Sequence, residues 1–444
     1  MNAQSYIILA AFVALIASPY LFRRFSRPAT NAYGSFAVGA RDFGWFRICA
    51  GLSATFVGGA AVIYLPGLGY TYGWYGLADV LPTSTALLVS AVVIVPRVFR
   101  RREISLGGFL QVSDRMVNAA TGLLSTVVYT LVTAAQIVAL IKVAQPYFAV
   151  PAPVLALVAT VGITSYLLYG GYNSVTVTDV IQFVVMDLCY FGLVGATLWL
   201  APTVGSAAAA IPVKPMPFDF VCLLATPLLF VPVSQDLHIR INSARRVRDG
   251  RIGVLLAGFA YLAFGLISVS VGRAMAHAGV ALASPDDAVP TFLRDHFGML
   301  AIVPTIAVIC VVVSTLDSVL FASASSLAYD FWDRLARNER QKDSARPRIA
   351  TLLVLGVALF IALQASQVLR LVLSALVIYV SVLLPMLVGR LLNRRSRALG
   401  LLAFGVLAGV CVLEACSFAL PFRAFAYTAV HLVFVCFLKK DPAP

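Results

Sequence analysis

The chain has 444 residues, 61% of them hydrophobic and 12% charged, with a formal net charge of +14 at pH 7. Soluble domains carry about 25% charged residues, and here the apolar residues fall in blocks of roughly 20 or more, the length that crosses a bilayer as a helix. That excludes a soluble domain, and the basic residues gather between the apolar blocks, which argues against nucleic-acid binding.

The periodicity predicts an all-α polytopic membrane protein. About thirteen spans are predicted, at roughly 6–22, 44–70, 75–97, 116–146, 151–170, 175–201, 218–238, 252–278, 298–331, 348–365, 368–390, 398–416 and 423–438. With the N-terminus outside, the inner side collects FRRFSR, RVFRRR, IRINSARRVRDGR, RLARNERQKDSARPR, RLLNRRSR and the terminal KK. Of the 33 Lys and Arg residues, 27 then lie inside and 6 outside, the asymmetry expected of a topology signal. The first block has no basic residues ahead of it, so it reads as a retained helix rather than a cleaved leader.

The second span, GLSATFVGGAAVIYLPGLGY, crowds Gly51, Gly58, Gly59, Pro66, Gly67 and Gly69 into one membrane segment. The seventh, LLATPLLFVPVSQDLHIR, carries Pro227 and Pro232. Both read as broken helices. With the first span set aside they become helices 1 and 6 of a ten-helix core, five helices in each half and the halves inverted. Interrupted helices at matching places in inverted repeats mark a transporter-type site at the midplane, where freed carbonyls face an ion or solute. The predicted organisation is an extra N-terminal helix over 1–30, a core over 40–395 and two C-terminal helices over 396–444, ending inside. The core divides into repeats at about 40–205 and 215–395.

The sixth span holds GGYNSVTVTDVIQF, with Asp179 after Thr178. The ninth holds VVVSTLDSVLF. At 100° per residue Ser314, Asp317 and Ser318 share one face and Thr315 flanks it. An Asp at a helix centre costs about 2.5–3.5 kcal/mol on insertion scales, so it faces a cavity or a partner rather than lipid. Hydroxyls and carboxylates are hard oxygen donors suited to small hard cations. The bland alternative, in which Ser and Thr only bond back to the preceding turn, suits one lone hydroxyl better than four polar residues in one turn.

The seven cysteines (Cys49, Cys189, Cys222, Cys310, Cys411, Cys416 and Cys436) form no CxxC pair, and the four histidines show no ligand spacing. No GxxxxGK[ST], HExxH or GxSxG occurs, so neither an ATP-driven pump nor an intramembrane hydrolase is supported, and no enzyme activity is expected.

Five stretches resemble one family in order. FAVGARDFGW and SATFVGGAAVIYLPGLGYTYG resemble the approach to, and body of, the first core helix of the sodium:solute symporter family. YGGYNSVTVTDVIQ resembles its core helix 5, SQDLHIRINSARRVRDGRIG its helix 6 exit, and STLDS its helix 8 sodium motif. The resemblance spans roughly residues 35–395. It implies a LeuT-type fold, sodium-coupled alternating access and import of a small organic solute, with Na+ as coupling ion and no other cofactor. By the same resemblance, sodium is held by the carbonyls of Ala54, Val57 and Val311 and the hydroxyls of Ser314 and Thr315. A second cation, or a proton, falls to Asp179, Asp317 and Ser318. Phe56 stands where proline-transporting members have an acid, which counts against proline as the solute.

Polar residues expected along a solute path are Thr55, Tyr64, Asp79, Gln136, Ser234 and Gln235. Asp79, inside core helix 2, is the sharpest of them, as a partner for an ammonium or hydroxyl group. The Tyr and Gln residues have a plainer reading as packing or interfacial belt, and Asp79 as a structural pair with the backbone break in helix 1. The expected partners are the solute, Na+ and the bilayer of a cell membrane, by expectation a bacterial inner membrane, with the monomer as working unit and no nucleic acid. Proton coupling on the same fold, or a solute sensor, are the rivals. The sequence closes on KKDPAP without a kinase domain, which sets sensing behind transport.

Overall fold

A computed structural model describes residues 3–22, 34–111, 114–195, 211–335, 345–364 and 368–392. The first apolar block is helix α1, Ala3–Leu21. The second is two helices, α2 (Trp45–Val57) and α3 (Gly59–Tyr72), parted at Gly58 with φ 45° and ψ 142°. That left-handed backbone suits glycine and strains other residues. Pro66 lies inside α3, so the glycine makes the break and the proline does not.

Then come α4 (Leu77–Arg101), the short α5 (Leu106–Leu110) and α6 (Arg115–Ala144). Asp114 caps α6 by accepting from the amides of Met116 and Val117, which satisfies donors that a helix start leaves free. Helices α7 (Ala152–Gly170) and α8 (Tyr172–Met186) meet at Gly171, and α8 runs on as a π-helical stretch over Asp187–Val194.

The span predicted at 218–238 is also broken. It consists of α9 (Phe218–Leu224), a turn at Pro227–Phe230, a 3-10 turn at Val231–Val233 and α10 (Gln235–Ser243). Pro227 and Pro232 supply no N–H to a helical ladder, so the chain cannot continue through them as one α-helix. The remaining helices are α11 (Val247–His277), α12 (Ala288–Phe297), α13 (Ile302–Ser325, prolonged by a π-helical stretch to Trp332), α14 (Arg346–Gln364) and α15 (Val368–Leu391).

Seven helical segments of the described residues are long and apolar enough to cross a membrane, and Trp45–Val57 and Leu376–Leu391 are shorter apolar helices. The spans expected at 398–416 and 423–438 lie outside the described residues. No sheet occurs among the described residues; an isolated bridge joins Phe43 to Ala244. Phe43 N donates to the Ser243 carbonyl at 3.1 Å, and Arg245 N donates to the Phe43 carbonyl at 2.9 Å. The approach to α2 and the exit of α10 are thereby pinned together.

The basic loops converge at that end. Arg102 donates to the Ala244 carbonyl at 3.1 Å, Arg115 to the carbonyls of Arg334 and Leu335, and Arg348 to the Leu168 carbonyl at 3.1 Å. Arg346 pairs with Asp333 at 2.9 Å. At the other end Tyr70 donates to the Val280 carbonyl at 2.9 Å, and the Arg273 guanidinium lies 4.0 Å from the centre of the Trp74 ring. Helix α13 is central: every residue from Ala307 to Ser325 is buried. A helix enclosed by protein is where intramembrane polar groups can be partnered away from lipid.

Candidate functional site

At Gly58 the helical ladder of α2 stops, so the last carbonyls of α2 lose their intrahelical partners. Two of them face α13. The Thr315 hydroxyl lies 3.4 Å from the Ala54 carbonyl and 3.4 Å from the Thr55 carbonyl. It also lies 3.0 Å from the Val311 carbonyl one turn back in its own helix. A Cβ on Gly58 would lie 3.5 Å from that hydroxyl, an ordinary contact, so the positive φ of the bend and not the space beside Thr315 calls for glycine. The structure therefore brings together Ala54, Val311 and Thr315, and adds the Thr55 carbonyl. Val57 is the last residue before the break. This is a set of neutral oxygens in a dry place, which suits a small hard cation.

Ser314 points from α13 to α8, its hydroxyl donating to Asp179 Oδ1 at 2.8 Å. The other carboxylate oxygen of Asp179 accepts from Arg240 Nη2 at 2.9 Å. The same nitrogen donates to the Thr55 hydroxyl at 2.8 Å and to the Ser318 hydroxyl at 3.0 Å, and Nη1 pairs with Asp236. Arg240 is 1% exposed and Asp179 is fully buried. Removing one partner of such a buried pair costs about 3–5 kcal/mol, because the other is left as an uncompensated charge.

Arg240 joins the candidate site without being singled out by the sequence. IRINSARRVRDGR counts there among the basic stretches of the inner side, and the structure puts its first arginine in the middle of the polar cluster. A signal was present. Asp236 and Arg240 stand four residues apart in QDLHIR, the spacing that places opposite charges on one helix face.

Asp317 goes elsewhere. Its Oδ2 accepts from the Tyr166 hydroxyl at 2.5 Å and from Thr178 at 3.2 Å, and its Oδ1 has no hydrogen-bond partner. The polar stripe of α13 thus divides by direction. Thr315 faces the break in α2, Ser314 and Ser318 face Asp179 and Arg240, and Asp317 faces α7 and α8. The expected trio Asp179, Asp317 and Ser318 shares no single hydrogen-bonded centre: Asp179 and Ser318 meet at Arg240, and Asp317 stands apart.

The solute-path residues are also distributed. Thr55 donates back to the Gly51 carbonyl at 2.9 Å while accepting from Arg240. Ser234 donates to the Val231 carbonyl at 2.9 Å, within the broken segment. Gln235 Oε1 accepts from the Leu106 amide at 2.8 Å, and its Nε2 is buried without a partner. Gln136 is buried on α6, and its Oε1 has no partner. Asp79 is 5% exposed on α4, and its Oδ2 accepts from the Tyr261 hydroxyl of α11 at 2.7 Å. The Tyr64 hydroxyl of α3 reaches the same carboxyl. Asp79, Tyr64 and Tyr261 make a second polar cluster, separate from Arg240. Among the described residues no three His, Cys, Asp or Glu side chains gather as a metal cluster.

The profile of the family described as "Sodium:solute symporter family" matches residues 36–211 and 232–409. The broken helix α2–α3, the exit helix α10 and the α13 stripe fall inside the match, while α9 and the turn at Pro227 lie in the gap between its two parts. The fold is similar to that of a Na+-coupled sialic acid symporter solved in a substrate-bound outward-open state, with a TM-score of 0.78, 12% identity and all of both chains covered. It is also similar to Mhp1, a nucleobase-cation-symport-1 family transporter solved in a closed conformation with bromovinylhydantoin bound. There the TM-score is 0.57 at 14% identity, covering 92% of this chain and 94% of that one. At such identities these likenesses speak for the fold, which is the LeuT-type transporter fold. The family match covers most of the chain and includes the elements that build the site, and on that ground the chain belongs to the sodium:solute symporter family.

Proposed function

We propose that the protein is a symporter that carries a small organic solute into the cell with sodium, by alternating access in a cell membrane. The observation that carries this reading is the cluster of oxygens at the broken helix: the Thr315 hydroxyl beside the carbonyls of Ala54, Thr55 and Val311. In this reading Ala54, Val57, Val311, Ser314 and Thr315 hold the sodium ion. Bound sodium ties α2 to α13, so it favours the states in which the two helices are close. Differential affinity of that kind is what couples two fluxes. The core over 40–395 works as two inverted repeats, with α1 outside that core and two further spans over 396–444.

The solute lies between the breaks in core helices 1 and 6. Tyr64, Asp79, Gln136, Ser234 and Gln235 are the side chains proposed to meet it. Thr55 is engaged with Arg240 and serves the ion side of the site.

The test is thermal unfolding of the purified protein in sodium against potassium at equal ionic strength. A ligand that binds only the folded state adds about 2.7 kcal/mol at a hundredfold excess over its Kd. Sodium is expected to raise the unfolding temperature where potassium does not, and Thr315→Ala is expected to abolish the difference. Equal curves in the two salts would overturn the reading.

One observation favours a second reading. Asp317 is a buried carboxyl whose contacts are neutral hydroxyls, which suits a proton carrier. Solute uptake driven by a pH gradient without sodium would support proton coupling in place of sodium.

A further inference from the structure

Two of the three side chains expected at a second cation, Asp179 and Ser318, are already engaged by Arg240. Arg240 Nη2 stands 2.8 Å from the Thr55 hydroxyl, 2.9 Å from Asp179 Oδ2 and 3.0 Å from the Ser318 hydroxyl. These come from α2, α8 and α13, so one nitrogen collects a hydroxyl, a carboxylate and a second hydroxyl from three helices. That is the donor set a small cation would draw from the same place. Thr55 spends its own proton on the Gly51 carbonyl, which leaves its lone pairs for the positive group.

The backbone of α2 is also cut to fit. A Cβ on Gly51 would lie 2.7 Å from Arg240 Nε, closer than atoms pack, and 3.1 Å from Asp179 Oδ2, a tight contact. The glycine gives the guanidinium its room.

We propose that the guanidinium of Arg240 is a tethered occupant of the second cation position, so that the protein binds one sodium ion, at Thr315 and the α2 break, and no second. This rests on the sodium-coupled reading above. A mobile cation placed among Thr55, Asp179 and Ser318 would sit against a like charge in a low-dielectric interior, where that repulsion is poorly screened. Asp236 holds the other side of the guanidinium. Asp317, bonded to Tyr166 and Thr178, is not part of the set. The arginine thus supplies in every transport cycle a charge that would otherwise have to be taken from the medium.

The experiment measures sodium-22 bound at saturation per purified chain, by equilibrium dialysis, beside thermal unfolding with and without millimolar guanidinium. Wild type is expected to bind one sodium, lost in Thr315→Ala. Arg240→Ala is expected to lose stability and to recover several degrees with millimolar guanidinium but not with urea, while wild type and Arg240→Lys do not respond. In Arg240→Ala a second sodium, resistant to Thr315→Ala, is expected as the vacated oxygens become available. Two sodium ions on wild type, with one lost in Ser318→Ala, would overturn the proposal. If Arg240→Ala does not fold, the wild-type count together with Arg240→Lys still decides between one sodium and two. No sodium on wild type would instead refute sodium coupling, and the tethered-cation assignment would then stand or fall on the guanidinium response alone.

Discussion

Arg240 Nη2 and Asp179 Oδ2 lie 2.9 Å apart, both side chains buried, and join α10 to α8. Asp179 reaches the sodium side of the site through its other oxygen, 2.8 Å from the Ser314 hydroxyl. One carboxylate therefore joins the internal guanidinium to a proposed sodium ligand.

Asp179→Asn keeps the shape and removes the charge. It leaves Arg240 with Asp236 as its one carboxylate partner in hydrogen-bonding contact. A loss of about 3–5 kcal/mol is expected from breaking a buried pair, read as a lower unfolding temperature. Sodium-specific stabilisation is expected to weaken as well, since the amide keeps a single acceptor oxygen and cannot accept from both Ser314 and Arg240. Asp179→Asn with wild-type stability would contradict the pair's structural role.

Gly51→Ala tests the room made for the guanidinium. The added methyl meets Arg240 Nε at 2.7 Å, and overpacking of a close-packed interior costs about 1–3 kcal/mol. The double variant Gly51→Ala with Arg240→Ala should recover part of that loss, because the clash disappears. Additive losses in thermal unfolding would mean that the two positions do not meet.

Gly58→Ala strains the break. With φ at 45°, a side chain there costs about 1 kcal/mol or more, and the relief available is a straighter helix that withdraws the α2 carbonyls. Apparent sodium affinity, read from a sodium titration of the unfolding temperature, is expected to fall at least tenfold. An unchanged titration would show that the carbonyl arrangement does not depend on the bend.

Asp317→Asn separates ion from proton. Sodium-specific stabilisation should survive, since Asp317 shares no hydrogen bond with Thr315, Ser314 or Arg240. If Asp317 carries a coupled proton, the pH dependence of uptake should disappear in this variant while sodium dependence remains. Loss of the sodium effect itself would place Asp317 among the sodium ligands.

Asp79→Asn and Tyr261→Phe address the solute. They disturb the cluster formed by α3, α4 and α11, away from Arg240 and Thr315. Sodium-induced stabilisation is expected to be unaffected, while the KM for transported solute rises by about tenfold or more, the loss of about 1.4 kcal/mol. A change in sodium response with unaltered KM would assign the cluster to structure.

The sequence by itself determined the membrane class, the broken helices 1 and 6, the enclosed polar stripe of α13 and the family. These are local properties. Apolar run length, Gly58 at a left-handed turn, Pro227 and Pro232 without N–H donors, and the phase of Ser314, Thr315, Asp317 and Ser318 around one helix are all set within a few residues of chain. Only the tertiary structure decided what each polar group faces. Asp179 and Arg240 are 61 residues apart in sequence, and the local Asp236–Arg240 spacing marks a charge pair on one helix face without saying that this face is enclosed. A buried charge is tolerated only where folding supplies opposite charge and hydrogen bonds from other helices. That supply is a property of the packed bundle, and it is why the arginine, and with it the separation of Asp317 from Asp179 and Ser318, became visible only in three dimensions.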